Sequence, residues 1–401
     1  MATVPLTLTV VWHPSAPEGK VAAEALAQWF EPMTGGLLSG LRIPVRVRSL
    51  SAAGAPNDPP PPIALDEADV NLVLLIGTRR LIEAAGAEWR DFFDRLLADR
   101  NGRGERDHIM IAALEPTALA LPQAPDLQGE RTYEWDQDLF IEVDGSTRAG
   151  PGLTQLAIVI ADNFAYRLLF LQEQETNPAV SLATWSPSRQ KLFLSHTKHD
   201  QHGLALAKEL FRLLQQNRYG LEVFFDAYNL RAGVNFWLQL TNAIKGSAFV
   251  AIATDKYATR PVCQFEILEA KRLRCPVLMA HLVEKGEDRA FPYAGNVPVR
   301  IMSKSPSRSE IELLLLDLCL ENLRGLAFRR EAEPTRRRLA TSPNTIDVIS
   351  RKPELGDIVH LRAMTPQPSL VLYPDPPLAN HEFGVLTALA GGIDFKALSE
   401  A

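Results

Sequence analysis

"FVAIATDKYATRPVCQFEILEAKR" occupies residues 249–272. Its start, Phe249 to Ala253, is a strand-sized apolar run. A polar turn follows, and then a stretch of helical period from Val262 to Arg272. Strand, turn and helix in that order make half of a βαβ unit, which needs parallel neighbours to complete it. The flanking sequence supplies them. "KLFLS" (191–195), "LEVFFD" (221–226) and "CPVLMAHL" (275–282) read as strands. "HGLALAKELFRLLQQ" (202–216), "NFWLQLTNAIKG" (235–246) and "SRSEIELLLLDLCLENLRG" (307–325) read as helices. The alternation predicts an α/β domain with a doubly wound parallel sheet over residues 189–327.

The same order of elements appears earlier in the chain. "LTLTVVW" (6–12), "IPVRVRSL" (43–50), "DVNLVLLIG" (69–77) and "HIMIAAL" (108–114) read as strands. Helical stretches start at Gly19, Ala87 and Thr154. A second α/β domain is therefore expected at 1–171, as a sensor or an oligomerisation module. Trp89, Phe92, Phe93, Leu96 and Leu97 fall near one helical face and read as its core. No chemistry is assigned to that domain.

Breaks in periodicity predict linkers at 172–188 and 328–365, the second charged and punctuated by proline. Residues 366–401 offer one strand, a proline-rich turn and one helix, too little for a separate core. That segment either docks on a neighbour or begins a further domain.

Composition narrows the function. With 42 Lys and Arg against 48 Asp and Glu, the net charge is −6, so no global basic field draws the chain to nucleic acid. The three cysteines form no CxxC pair, which argues against a structural zinc site. No charged n-region with a long apolar stretch opens the chain. Its longest apolar runs fall well short of the roughly 20 residues that span a bilayer, so a cytoplasmic protein is expected. The phosphate cradles GxxxxGK[ST] and GxGxxG are missing, as are HExxH and GxSxG.

A site must then come from the carboxyl ends of the strands, which converge on one edge of a parallel sheet. Ser195 and His196 end the first strand, and Asp226 ends the second. A loop with Arg231 and Gly233 leads to Phe236 and Trp237. Thr254 to Tyr257 follow the third strand, and the next helix carries Cys263 and Glu266.

In this order the segments resemble the boxes of Toll/interleukin-1 receptor (TIR) domains. "KLFLSH" resembles the first box. "VFFDAYNLRAGVNFWLQLTNAI" resembles the second. "FVAIATDKYATRPVCQFEILEAKR" is similar to the segment S-x-x-Y-x-x-S-x-W-C-x-x-E, with Val262 in place of its tryptophan. The resemblance covers 189–327 and implies a flavodoxin-like fold. It also implies either a signalling scaffold or an enzyme that cleaves NAD⁺ at the nicotinamide–ribose bond.

On the enzyme reading, Glu266 is the catalytic carboxylate. Ser195, His196, Asp226, Trp237, Tyr257 and Cys263 line the NAD⁺ pocket. NAD⁺ is then substrate rather than cofactor, and no metal is required. The loop 226–237 is the element of self-association, and the setting is a bacterial anti-phage or stress response. On the scaffold reading the same loop recruits partners without catalysis. A third reading makes the strand ends of 1–171 a pocket for a nucleotide signal.

Plainer roles stand beside these. Glu266 reads equally as a helix-surface carboxylate paired with Arg260 or Lys271, and Glu269 as a surface partner of Arg272. Ser195 and His196 read as caps of the turn into the next helix. Asp226 reads as an anchor of its own loop, and Trp237 as core before ligand platform. The spacing of His196, His199 and His202 lacks the carboxylate or cysteine partner that a metal site needs.

Overall fold

The structure, a computed structural model, describes residues 4–31, 43–51, 58–127, 129–182, 185, 191–215, 219, 221–224, 235–284, 291–340 and 345–401. The chain divides into two compact units, Met1–Ser186 and Pro187–Ala401.

In the first unit a parallel sheet has the order β2-β1-β3-β4. Its strands are β1 (Val4–Val11), β2 (Val45–Arg48), β3 (Ala68–Gly77) and β4 (His108–Ala113). Residues 6 to 11 of β1 are all buried, as expected where helices cover both faces. On one face, Val11, Val73, Leu75 and Ile111 pack under α2 (Arg79–Gly86), Trp89 and α3 (Arg90–Arg103). The other face carries α1 (Pro17–Phe30) and α4 (Gly152–Thr176), whose Phe30 and Phe164 meet edge to face at 6.4 Å. By length and composition α4 could cross a membrane, yet 72% of its most apolar window is buried within the protein. It is the core helix of this unit. A hairpin of β5 (Phe140–Val143) and β6 (Ser146–Ala149) turns through Asp144 and Gly145, both at positive φ.

The second unit holds a five-stranded parallel sheet of order β11-β10-β9-β7-β8. Its strands are β7 (Lys191–Ser195), β8 (Glu222–Phe224), β9 (Ser247–Ala253), β10 (Val277–His281) and β11 (Val299–Ile301). Counted along the chain this is the flavodoxin-like order 2-1-3-4-5, so the expected fold is found. Phe224, Phe193 and Phe249 stack across three neighbouring strands at 5.2 and 5.3 Å. They tie the middle of the sheet to the helical layer of α6 (Phe236–Ile244) and α7 (Pro261–Arg272). The remaining helices of this sheet are α5 (Gln201–Gln215) and α8 (Arg308–Leu339).

The stretches read as linkers differ from expectation. Residues 172–176 complete α4, and residues 328–339 continue α8 through Pro334. Glu333 offsets the charge run there, lying 2.7 Å from Arg336 and 2.8 Å from Arg337 one turn away. Beyond it, β12 (Ile346–Val348), α9 (Leu355–Ala363), β13 (Leu370–Tyr373), α10 (Asn380–Ala390) and β14 (Asp394–Ala397) build a three-stranded parallel sheet. The strand and helix expected after 366 thus share a core with elements from the presumed linker. Ile349, Ile358 and Leu361 pack there with Val371, Tyr373 and Phe395.

Candidate active site

The crossovers leaving β7 and β8 run in opposite directions, so the strand order reverses between β7 and β9. The carboxyl ends of these strands flank a topological switch point, where α/β sheets place ligands. Ser195 is the last residue of β7, in register with Ala251 of β9. After β9 the chain makes two tight turns, Tyr257 N–H to the Thr254 carbonyl (2.9 Å) and Arg260 N–H to the Tyr257 carbonyl (3.1 Å). Pro261 then starts α7, a favoured position because the first helical N–H groups have no intrahelical partner. Each step is local, and together they bring α7 back across the end of β7.

The result is a buried chain of hydrogen bonds. Ser195 Oγ donates to Glu266 Oε2 at 2.6 Å and lies 2.7 Å from the Tyr257 hydroxyl. A serine has one proton, so when it serves the carboxylate the tyrosine must donate to the serine. Burial raises the Tyr257 phenol well above its ordinary value, reinforced by Cys263 and Glu266 and opposed by Ser195, which keeps it a donor. Glu266 itself is only 4% exposed. Charge-assisted bonds of this kind are among the stronger ones, and they hold the carboxylate in one orientation. Beside it the buried Cys263 thiol lies 3.7 Å from the His196 carbonyl.

Three of the proposed pocket residues, Ser195, Tyr257 and Cys263, therefore gather around Glu266 or its strand end, with His196 adjoining through its backbone. Trp237 stands at the start of the neighbouring helix α6. It is 47% exposed, against the expectation of core, and its ring meets Phe265 edge to face at 4.7 Å. Asp226, Arg231 and Gly233 lie outside the described residues. A cavity of about 330 Å³ lies between β8 and α6, lined by Lys191, Glu222, Phe224, Gln239 and Asn242. It adjoins Lys191 at the start of β7 and all three residues of β8, and Glu266 is not in its lining.

The plainer readings are resolved in part. Asp200, rather than Ser195, caps α5, accepting from the N–H groups of His202 (3.0 Å) and Gly203 (3.1 Å). Glu269 pairs with Arg272 as expected, at 2.6 and 2.7 Å. It is buried rather than on the surface, with Thr241 donating at 3.0 Å. Lys271 turns away from Glu266 to Glu354 at 2.9 Å. Among the described residues no group of three His, Cys, Asp or Glu is placed to hold a metal.

The family model of the TIR domain matches residues 192–315. This stretch is a TIR domain. Against the TIR segment pattern the chain departs at Val262 and also at Thr254 and Arg260, which stand where the pattern has serines. No curated protein matches the chain. Among solved structures, the PH0520 protein from Pyrococcus horikoshii OT3 aligns over 80% of this chain and 91% of its own. With 11% identity and a TM-score of 0.15, that likeness is too slight to bear on the fold.

Proposed function

We propose that the TIR domain cleaves NAD⁺ at the nicotinamide–ribose bond, with Glu266 as the catalytic carboxylate. The observation that carries this reading is the Glu266 carboxylate itself, buried at the switch point and oriented by the hydroxyl of Ser195. TIR domains include both signalling modules and NAD⁺-cleaving enzymes. A single carboxylate suffices for the second role. As the C1′–N bond breaks, its electron pair passes to the pyridinium nitrogen and nicotinamide leaves neutral, with no proton needed from the protein. The cost lies in the positive charge left on the ribose, which a fixed carboxylate stabilises by a few kcal/mol, at about 1.4 kcal/mol per tenfold in rate. Water, which gives up a proton to solvent as it adds, or a ring nitrogen then bonds to the ribose carbon, giving a hydrolysed or a cyclised product.

At 4% exposure, Glu266 meets a ribose only after the groups over it shift. A covered resting site suits an enzyme switched on by assembly, as a defence or stress response would need, because unchecked NAD⁺ loss is lethal. Phe236, Trp237 and Leu238 stand side by side and exposed at the start of α6, a surface suited to self-association. The same surface supports a second reading, a scaffold that recruits partners without catalysis.

The deciding assay is NAD⁺ consumption by the purified chain at high concentration, beside Glu266→Gln. Nicotinamide release that vanishes in the variant supports the enzyme. Release that persists moves the chemistry to another group, and none in an assembled sample favours the scaffold.

A further inference from the structure

The first unit has a switch point of its own. Its order β2-β1-β3-β4 reverses between β1 and β3, and the chain delivers His13 and Ser15 just past β1 and Thr78 just past β3. His13 is 3% exposed and Trp89 fully buried, with ring centroids 5.5 Å apart. The packing of Trp89 on Phe92 and Phe93 accounts for its ring faces. It leaves the ring nitrogens unexplained.

The proton on His13 can be assigned. Ser15 N–H donates to His13 Nδ1 at 3.2 Å, and Ser15 Oγ lies 2.7 Å from the same atom. Burial and the Arg80 cation, partly offset by Glu88, lower the imidazole pKa and favour the neutral ring. A neutral imidazole that accepts at Nδ1 carries its proton at Nε2. Both His13 Nε2 and Trp89 Nε1 are buried without a hydrogen-bond partner. Two unmatched buried donors in neighbouring rings are costly. Both groups ask for the same thing, an acceptor. Glu88 is engaged with Arg80, and Glu115 accepts from the Arg79 N–H at the start of α2.

We infer that the carboxyl edge of this first sheet binds a small phosphate-bearing ligand, whose oxygens accept from His13 Nε2–H and Trp89 Nε1–H beside the Arg80 cation. An oxyanion satisfies both donors at once and lies beside the Arg80–Glu88 ion pair, where it competes with Glu88 for the guanidinium. This site is independent of Glu266 and gives the first unit a sensing role.

The test uses the full chain with ¹⁵N-labelled tryptophan, titrated with inorganic phosphate and then with AMP. The indole N–H resonance that disappears in Trp89→Phe should move downfield and saturate with at least one probe. His13→Phe should weaken that affinity at least tenfold, and His13→Gln, which keeps a donor near the Nε2 position, should restore most of it. Should His13→Phe not fold, Arg80→Met reads the same contact, again with a tenfold loss expected. An indole resonance unmoved by both probes overturns the proposal, as does an affinity unchanged by the substitutions.

Discussion

Arg274 turns the chain left-handed (φ 57°) at the end of the helix that bears Glu266, and its guanidinium grips Asp347 on β12 with two hydrogen bonds. The turn is a Schellman motif, with Cys275 N–H reaching the Ala270 carbonyl (2.9 Å) and Arg274 N–H the Lys271 carbonyl (3.0 Å). Glycine is the usual occupant, since other residues pay about 1 kcal/mol for this backbone. The ion pair offsets that cost. Arg274→Ala keeps the strained backbone and loses the pair, so a loss of about 2 kcal/mol is expected in urea unfolding. Arg274→Gly loses the pair and relieves the strain, so it should be about 1 kcal/mol more stable than the alanine variant. Equal stabilities would show that the left-handed turn carries no penalty here.

Ser195→Ala tests the orientation of Glu266. The serine hydroxyl donates to Glu266 Oε2, so its loss frees the carboxylate to turn. On the proposed function, NAD⁺ cleavage should fall roughly 10- to 100-fold. A variant that cleaves as fast as the parent chain would mean that Ser195 only fills space.

If the proposed self-association uses the start of α6, Trp237→Ser should break the dependence of specific activity on protein concentration. The side chain is half exposed and packs on Phe265, so the fold should survive with a stability change within about 1 kcal/mol. Sedimentation velocity on the variant checks the same point. Unchanged association there would place the self-contact elsewhere.

The first unit should lose stability in acid through His108. Burial, followed by the charges of Arg167 and Arg100, lowers its pKa to about 3, and its Nδ1 lies 3.1 Å from Arg167 Nη2. In the unfolded chain a histidine titrates near 6.5. A depressed pKa means that stability is fully present above about pH 6.5 and is lost as pH falls toward 3, at up to about 1.4 kcal/mol per pH unit. Denaturant unfolding at stepped pH should show this slope, and His108→Gln should flatten it. A slope unaltered in the variant would assign the acid sensitivity to other groups.

Much of this architecture is legible in the residues. Phe249–Ala253 and Lys191–Ser195 read as buried strands because both faces of a parallel sheet are covered, and their ends then share an edge. That reasoning brings Ser195, Tyr257 and Glu266 together although Ser195 and Glu266 are 71 residues apart. What escapes is long-range and polar. Nothing near Lys271 or Arg274 announces Glu354 and Asp347, because an ion pair leaves no periodic trace. The Asp144–Gly145 hairpin does carry a local signal, an Asp-Gly pair suited to positive φ. Pro334 and the arginines around it suggested a break, yet Glu333 and buried Ala332 carry the helix through.

The extent of α8 has a practical consequence for how this protein is divided. Similarity to the TIR domain stops at residue 315, within a helix that continues to Leu339. Leu316, Leu318, Leu320, Leu323 and Phe328 lie beyond that limit and are all buried, and Gly325 comes close to Ser350 of the following segment. A fragment cut at the limit of similarity would lose this shared spine, at roughly 1.5–3 kcal/mol for each large side chain no longer buried. The stretch similar to the TIR domain therefore ends partway along a helix whose buried face runs on into the following segment.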